Sequence, residues 1–445
     1  MAFRGTSDKL YTKNNGKYLG LIQLMAKCDP VMQDHISQIL RNESRVHYCS
    51  KTIANELIQV LAQEVKSEII LIIQKVKYFS IIADCTPDVS RIEQLSLTLR
   101  YVDVINKNDE VEICERFIEF TTISDSTGQG LSGVIMELLQ RNQLQLKNCR
   151  GQGYDNGANM KGKHNGVQRK ILDLNPLAFF MPCGCHSLNL LLCDAAKTSV
   201  KSVNLFGILG RLYSLFAGSV CRWDILLHHV KQFTLKRLSD TRWEAKVSSV
   251  KAVRFQIGEI HDALITLAKK EKQHNPDIAH EALTLTEQLQ KFDFLVSLVV
   301  WYDILFQINT ISKVMQSKSM DLCKVVELIK NCAEFLKEYR DNGLKRAITN
   351  AKELAQILEV EPKFVSAKRI RYVKRQFDYE GQDDSLSRKT PEKQFEIEFF
   401  NPLLDVALQA ITERFEQLNQ YADTWSFLFN IKKITIYRRV RKTLL

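Results

Sequence analysis

Apolar residues recur at helical spacing in the first 75 residues. From Leu19 onward they fall three or four positions apart, and a second pattern over residues 53–76 places Leu57, Val60, Leu61 and Val65 on one face. This spacing is typical of amphipathic helices. Residues 1–75 are therefore predicted to form a helical N-terminal segment.

The period changes to that of strands near residue 78. An apolar run is followed by two alternating segments, and then by helix and strand patterns in turn, with Ser126 and Thr127 as candidate N-caps of the first helix. The predicted strands are 78–83, 95–104, 111–123, 144–154 and 178–182, and the predicted helices are 131–139, 166–174 and 186–196. The resulting order, βββαβαβα, is typical of the mixed sheet of ribonuclease-H-like folds, in which the first and fourth strands are neighbours.

Residues 200–445 show helical patterns throughout. The predicted helices are 205–216, 220–236, 243–269, 280–316, 320–339, 343–358 and 395–421, with a polar, flexible linker near 378–394. The most apolar stretch, 294–306, is shorter than the roughly 20 residues that span a bilayer, so a buried helix is predicted and no membrane partner. The prediction is an α/β ribonuclease-H-like core at 76–199 and a large all-α insertion domain at 200–445.

The composition indicates which class of partner the chain binds and in which cellular compartment it lies. A chain of 445 residues exceeds what one core usually organises, and its formal charge of +11, with a pI near 9.0, favours a polyanion such as DNA. Its 11 scattered cysteines follow no secretory signal pattern, which indicates reduced thiols inside a cell.

Two aspartates follow predicted neighbouring strands. Asp84 ends the run 78–83, and Asp155 ends 144–154. Strand-end carboxylates can bind two divalent cations for phosphodiester chemistry, which makes Asp84 and Asp155 candidate ligands of Mg²⁺ or Mn²⁺. Asp84-Cys-Thr-Pro and Asp155-Asn-Gly also fit ordinary turns, and residue types alone favour that simpler interpretation.

Two other clusters have a chemical and a structural interpretation. Cys183-Gly-Cys185-His186 offers at most three zinc ligands and lacks the second pair of a structural zinc site, so packing is favoured. Arg242-Trp243 could stack on an unpaired base, although a core tryptophan explains it more simply. Basic residues interleaved with tyrosines at 368–375 and 437–442 suit a phosphate-binding surface or a solvated helix face.

The segment from Arg150 to Gln168, RGQGYDNGANMKGKHNGVQ, resembles the signature of hAT-superfamily transposases, especially the transposase-derived proteins similar to zinc finger MYM-type proteins. Four further segments agree with that family. They are FSIIADCT at 79–86, CGCHSLNL at 183–190, DTRW at 240–243, and FRG with NGKYL at 3–5 and 15–19.

The resemblance implies a metal-dependent, DNA-cutting ribonuclease-H-like core interrupted by a helical insertion. Asp84 and Asp155 would be its catalytic metal ligands, His186 would lie near them, and Arg242 and Trp243 would contact DNA, with Trp243 supporting a flipped base. Such proteins would act in the nucleus. The family's third acid, in a Ser-Glu-Arg segment after the insertion, has no match here, and Glu413 is not assigned that role.

The family's zinc finger and C-terminal dimerisation segment also find no match, so the core is expected to be incomplete at its C-terminus. The leading hypothesis is a non-catalytic, domesticated transposase remnant that binds nucleic acid or proteins. The alternatives are an active DNA-cleaving transposase, which would require another late carboxylate, and a helical protein-interaction scaffold. Any homo-oligomer would require the missing C-terminal segment.

Overall fold

The computed structural model describes residues 3–43, 47–104, 111–239, 243–317, 322–365 and 390–425. The chain divides into two compact units, Met1–Phe180 and Met181–Leu445. The sequence pattern placed boundaries at residues 75 and 199 instead. The first unit includes the predicted N-terminal helical segment, and the second includes residues 181–199; the predicted domain boundaries themselves stay a prediction.

Three helices precede the sheet in the first unit. They are α1 (Gly16–Met25), α2 (Pro30–Leu40) and α3 (Lys51–Val76). The Asp29 carboxylate caps α2 by accepting a hydrogen bond from the Val31 amide at 2.8 Å, and the Ser50 hydroxyl accepts from the Ile53 amide to cap α3. The last turns of α3 pack Ile70 and Ile73 into the core, whereas the predicted apolar face nearer its start is 39–64% exposed.

A five-stranded sheet forms the centre of the first unit. Its strands are β1 (Phe79–Pro87), β2 (Glu93–Asp103), β3 (Glu112–Thr122), β4 (Cys149–Tyr154) and β5 (Phe179–Pro182), arranged in the order β3-β2-β1-β4-β5. Strand β1 is antiparallel to β2 and parallel to β4, and β2 is antiparallel to β3. The predicted neighbouring positions of the first and fourth strands are present. The predicted strand 144–154 is shorter, because Leu146–Asn148 form a 3₁₀ turn.

One face of this sheet carries the core of the first unit. Ile81, Leu97 and Leu99 are fully buried there, against apolar side chains of α4 (Gly128–Arg141) and α6 (Val167–Leu174). The Thr127 hydroxyl accepts a hydrogen bond from the Gly130 amide, which confirms the predicted N-cap of α4. The short helix α5 (Ala158–Lys161) lies in the connection between β4 and α6.

Apart from Met181 and Pro182 at the end of β5, the second unit is helical in all of its described regular elements. These are α7 (Gly184–Lys197), α8 (Val200–Ala217), α9 (Val220–His229), α10 (Trp243–Phe255), α11 (Ile257–Glu271), α12 (Pro276–Leu289), α13 (Phe292–Met315), α14 (Leu322–Ile357), α15 (Pro391–Phe395) and α16 (Asn401–Trp425), with the π-helical turn Glu396–Phe400 before α16. Buried apolar side chains from α7 to α16 form one continuous core. Leu188, Leu191 and Leu192 of α7 belong to that core, which explains why α7 groups with the helices that follow it.

A buried glutamine breaks one predicted helix and shortens another. Gln256 separates α10 from α11, where one helix over 243–269 was predicted. Its Oε1 accepts hydrogen bonds from the backbone amides of Gln232 and Phe233, and its Nε2 donates to the Phe233 carbonyl at 2.8 Å. These hydrogen bonds satisfy backbone groups of the extended segment after His229. Helix α9 therefore ends at His229 instead of at residue 236.

One other predicted helix boundary was wrong, and the predicted linker is described only near its end. Helix α14 runs through residues 340–342, where a break between the helices 320–339 and 343–358 was predicted. A Cβ on Gly343, inside this helix, would lie 2.5 Å from the Tyr339 ring. Glycine therefore serves packing here. The predicted linker near 378–394 lies mainly outside the described residues, but its end is ordered, since Thr390 caps the helix that Pro391 begins.

Helix α13 is the described helix that is long and apolar enough to cross a membrane by composition alone. Its most apolar window is 67% buried inside the structure. Leu295, Leu298 and Trp301 are fully buried in the core of the second unit. The buried helix predicted from the stretch 294–306 is therefore present as the centre of the helical unit.

Candidate functional site

Asp84 lies inside β1, which continues to Pro87, and not at the end of the strand as predicted. Pairing with β4 ends earlier, at Ile82 opposite Gly153, so Asp84 lies two residues past the last parallel pair. On the other side its backbone carbonyl accepts a hydrogen bond from the Ser96 hydroxyl at 3.0 Å. Strand β2 thus holds the backbone of an exposed carboxylate in register.

Asp155 follows β4 directly, two residues past Gly153. Its side chain is half-buried, and its Oδ1 accepts a hydrogen bond from the Gly157 amide at 3.0 Å. This is the Asx turn that the Asp-Asn-Gly sequence predicts. One carboxylate oxygen of Asp155 therefore holds the turn that starts the loop to α6.

The two aspartates lie at the same end of two neighbouring strands. Each lies two residues beyond the last parallel pair, Ile82 and Gly153, and neighbouring strands are about 4.8 Å apart. Both carboxylates affect the thiol of Cys85. Burial is the largest cause that raises its pKa to about 12, and the negative charges of Glu93, Asp84 and Asp155 add to it. Sequence patterns did not single out Cys85 and Glu93, because pairing of β1 with β2 is what brings them to this edge.

The described ligands do not complete a two-metal site. Among the residues that the structure describes, no group of three or more His, Cys, Asp and Glu side chains could hold a metal ion. Two-metal catalysis needs ligands converging on two cations roughly 4 Å apart. Asp84 and Asp155 alone, with one Asp155 oxygen bonded to an amide, do not fit that requirement.

Glycines of the Arg150–Gln168 signature make a compact loop next to Asp155. A Cβ on Gly162 would lie 2.5 Å from the Ala158 carbonyl oxygen, and one on Gly166 would lie 2.4 Å from the Gly162 nitrogen. A Cβ on Gly128 of α4 would lie only 2.0 Å from the Asn165 oxygen. At these positions the backbone of the loop lies so close to neighbouring backbone that no side chain larger than that of glycine fits.

Amide side chains of the same signature tie this loop to its surroundings. Asn159 donates a hydrogen bond to the Ser126 carbonyl at 3.0 Å, just before α4. The buried Gln168 side chain donates to the carbonyls of Lys161 and Gly162, and Gln152 of β4 donates to the Gln168 carbonyl at 3.1 Å. Much of the signature thus fixes the backbone beside Asp155.

The Cys183-Gly-Cys-His186 segment begins α7 in the second unit. Cys183 is exposed, whereas burial and the nearby Cys183 raise the pKa of Cys185, which hydrogen-bonds to Gln316 and Ser312. A Cβ on Gly184 would lie 1.8 Å from Met315 Cε, so the glycine permits close packing. These contacts fit the packing interpretation. The nearness of His186 to the aspartates stays a prediction.

Trp243 is a core residue of the second unit. It is 3% exposed, stacks on Trp301 with ring centroids 5.9 Å apart, and donates from Nε1 to Cys193 Sγ at 3.2 Å. Lys246 Nζ lies 4.0 Å above its ring. The adjoining cavity of about 40 Å³ is lined by residues of α7, α10 and α13. The burial of the ring fits the core-tryptophan interpretation, and contact of Trp243 with DNA stays a prediction.

Three predicted nucleic-acid contacts lie outside the described residues. Arg242 immediately precedes the described part of α10, and both basic clusters, 368–375 and 437–442, lie entirely outside the described residues. Their proposed contacts with DNA therefore stay predictions.

Comparison with known proteins agrees with the motifs. Residues 1–166 match the model of the ZMYM1/FAM200 RNase-like domain. The chain is also similar to the human 52 kDa repressor of the inhibitor of the protein kinase, with 23% identity over 339 residues, and to its mouse counterpart, with 22% identity over 335 residues. Each match covers 71% of this chain and 43% of the relative, so the chain spans less than half the length of these curated relatives. The predicted resemblance to transposase-derived, zinc finger MYM-type-like proteins is confirmed.

Proposed function

We propose that this chain is a non-catalytic, transposase-derived protein that binds nucleic acid in the nucleus. The observation that carries the proposal is the acidic edge of the sheet, where Asp84 and Asp155 lie together without a third ligand group among the described residues. A sheet that keeps two acids in register but lacks a complete metal site can still present a nucleic-acid-binding scaffold.

The sheet supports a ribonuclease-H-like assignment. The order β3-β2-β1-β4-β5, with β1 and β4 parallel and β2 antiparallel to both of its neighbours, is the arrangement expected from the βββαβαβα pattern. The match of residues 1–166 to an RNase-like domain agrees with it. On this assignment Asp84 and Asp155 are inherited positions of a transposase active site.

Nucleic acid is the proposed partner because of the net charge of the chain and the name of its relatives. The chain carries a formal charge of +11, which favours a polyanion, and the relatives' name describes a repressor. A regulatory protein of this kind would work by binding in the nucleus, and it would need no bound Mg²⁺ or Mn²⁺ to do so.

Salt-dependent DNA binding tests the proposed partner. Because phosphate contacts release counterions, the affinity of the full chain for a labelled duplex should fall steeply between 50 and 200 mM salt. Asp84→Asn and Asp155→Asn should bind at least as tightly as the wild type, since each removes a negative charge. No measurable affinity at low salt would contradict nucleic-acid binding and favour the helical protein-interaction scaffold.

The second candidate is metal-dependent DNA cleavage and strand transfer. The shared register of Asp84 and Asp155 favours it, because inherited metal ligands would occupy these places. Cleavage of DNA in Mg²⁺ or Mn²⁺ that disappears in Asp155→Ala would establish this candidate and contradict the non-catalytic proposal.

A further inference from the structure

The second unit contains an open cavity with two aromatic walls. It has a volume of about 280 Å³ and is lined by Tyr213, Ala217, Ser219, Val220 and Trp223, at the corner between α8 and α9. Tyr213 and Trp223 are both half-buried and meet edge to face, with centroids 6.0 Å apart and planes at 76°. A planar ring entering from solvent would meet aromatic surface here.

Polar and charged groups flank the same corner. Ser219 is the N-cap residue of α9, yet its side chain makes no capping hydrogen bond. Arg222 folds back over Gly218, where a Cβ would lie 2.7 Å from a guanidinium nitrogen. A second cation, Lys270, contacts Cys221 with its Nζ 3.0 Å from the thiol sulfur.

The charged side chains at this corner balance in number, with two cations and two carboxylates. Lys270 interacts electrostatically with Asp224 and Glu271, and the Arg222 guanidinium lies against Gly218, between the cavity-lining residues Ala217 and Ser219. The amides that begin α9 add the partial positive charge of a helix N-terminus. Aromatic walls beside a guanidinium and a helix start suit a ring that carries a phosphate.

The shape favours one unit of a polymer over a small metabolite. Sites for small molecules enclose most of the ligand surface, whereas this cavity is broad and open to solvent. A base of a single strand stacks on an aromatic ring while its neighbours continue across the surface, and a nearby cation holds the backbone.

We propose that the Tyr213–Trp223 cavity binds an unpaired base of single-stranded nucleic acid, with Arg222 contacting the adjoining phosphate. This inference rests on the proposed nucleic-acid-binding function. It assigns the base-stacking role to a tryptophan other than Trp243, since the Trp243 side chain is only 3% exposed, whereas Trp223 is half-buried and lines the open cavity.

Oligonucleotide binding by the full chain tests the assignment. The probe is a fluorescent 15-nucleotide oligothymidylate at low salt, followed by anisotropy. Trp223→Ala should weaken binding about 10- to 100-fold, because stacking of one base on an aromatic ring contributes strongly to affinity. Trp223→Phe should retain most of the affinity, and Phe306→Ala, which removes an aromatic ring that is 52% exposed elsewhere in the unit, should bind as the wild type does.

Tryptophan emission provides a second readout. Of the four tryptophans in the chain, Trp243 and Trp301 are buried, so stacking at Trp223 should quench part of the emission when the oligonucleotide binds. Trp223→Phe should bind without that part of the quenching. An abasic strand of the same length should bind more weakly than oligothymidylate and leave the emission unchanged.

The results separate this inference from the wider proposal. If the wild type binds but Trp223→Ala binds equally well, or the abasic strand binds as tightly as oligothymidylate, the cavity assignment is wrong and nucleic-acid binding stands. If the wild type binds neither duplex nor single strand at low salt, both are wrong. Circular dichroism of each variant must match the wild type for the comparison to count.

Discussion

Gly128 offers a stringent test of how the signature loop is held beside Asp155. It lies in the first turn of α4, and a Cβ there would lie 2.0 Å from the Asn165 oxygen and 2.9 Å from the Asn159 oxygen. Real Cβ atoms essentially never approach closer than 3.0 Å, so Gly128→Ala must displace the loop by about 1 Å or more. The opposing atoms belong to the backbone, which cannot rotate away.

The expected loss of stability is the balance of destabilising and stabilising free-energy contributions. Overpacking costs about 1–3 kcal/mol, and displacing the loop weakens hydrogen bonds such as Asn159 to Ser126, each contributing about 1 kcal/mol. Alanine regains up to about 1 kcal/mol in helix propensity. The free energy of unfolding of the first unit should therefore fall by about 2–3 kcal/mol. Gly133→Ala on the same helix, where a Cβ meets nothing within 4 Å, should raise it by about 0.5–1 kcal/mol.

Hydrogen exchange in β1 and β4 reports the unfolding of the first unit. All four tryptophans lie in the second unit, so their fluorescence monitors that unit separately as an internal control. In Gly128→Ala the slowest amides of β4 should exchange about 30- to 150-fold faster, with the tryptophan signal unchanged. Equal protection in Gly128→Ala and Gly133→Ala would refute the steric account of the signature.

Two further predictions concern single side chains. Trp243→Ala should lower the free energy of unfolding of the second unit by about 3–5 kcal/mol, measured in a urea titration, because it leaves a cavity in the core. A Trp243→Ala variant that keeps its stability and loses only oligonucleotide affinity would instead support the base-binding role. Burial opposes ionisation of Glu119, but hydrogen bonds from Arg141 and Lys66 prevail and lower its pKa. Its ionised form therefore stabilises the first unit above the unfolded pKa, near 4.3, and this contribution disappears as pH falls through the lower folded value. Glu119→Gln should cost about 1 kcal/mol at pH 7 and progressively less below pH 4, measured by urea denaturation; a pH-independent difference would contradict this pairing.

Alternating patterns and strand ends predicted the first unit well. Short apolar runs identified the five strands, and the Asp-Asn-Gly sequence identified the turn in which Asp155 binds the Gly157 amide. The continuation of β1 past Asp84 was not predicted, because Thr86 and Pro87 look like a turn. They pair with the start of β2, and this contact depends on tertiary structure.

The helical unit was predicted less accurately because its helix ends are set by tertiary contacts. Gln256 breaks a continuous helical pattern by bonding to a segment more than 20 residues away. The break predicted at 340–342 is absent, and Gly343 within α14 makes room for the Tyr339 ring. The motif around Trp243 drew attention to a residue that the core encloses, whereas Trp223 had no motif around it. Only the packing of α8 against α9 shows that Trp223 lines a cavity.

DNA cleavage by the full chain tests the central claim most directly. Labelled single-stranded and duplex DNA would be incubated with the wild type, Asp84→Asn, Asp155→Asn and a control, Asp173→Asn, which removes an exposed carboxylate of α6. The account predicts no strand scission above background for any of the four proteins in Mg²⁺ or Mn²⁺. Scission by the wild type and Asp173→Asn that is absent from Asp84→Asn and Asp155→Asn would contradict it.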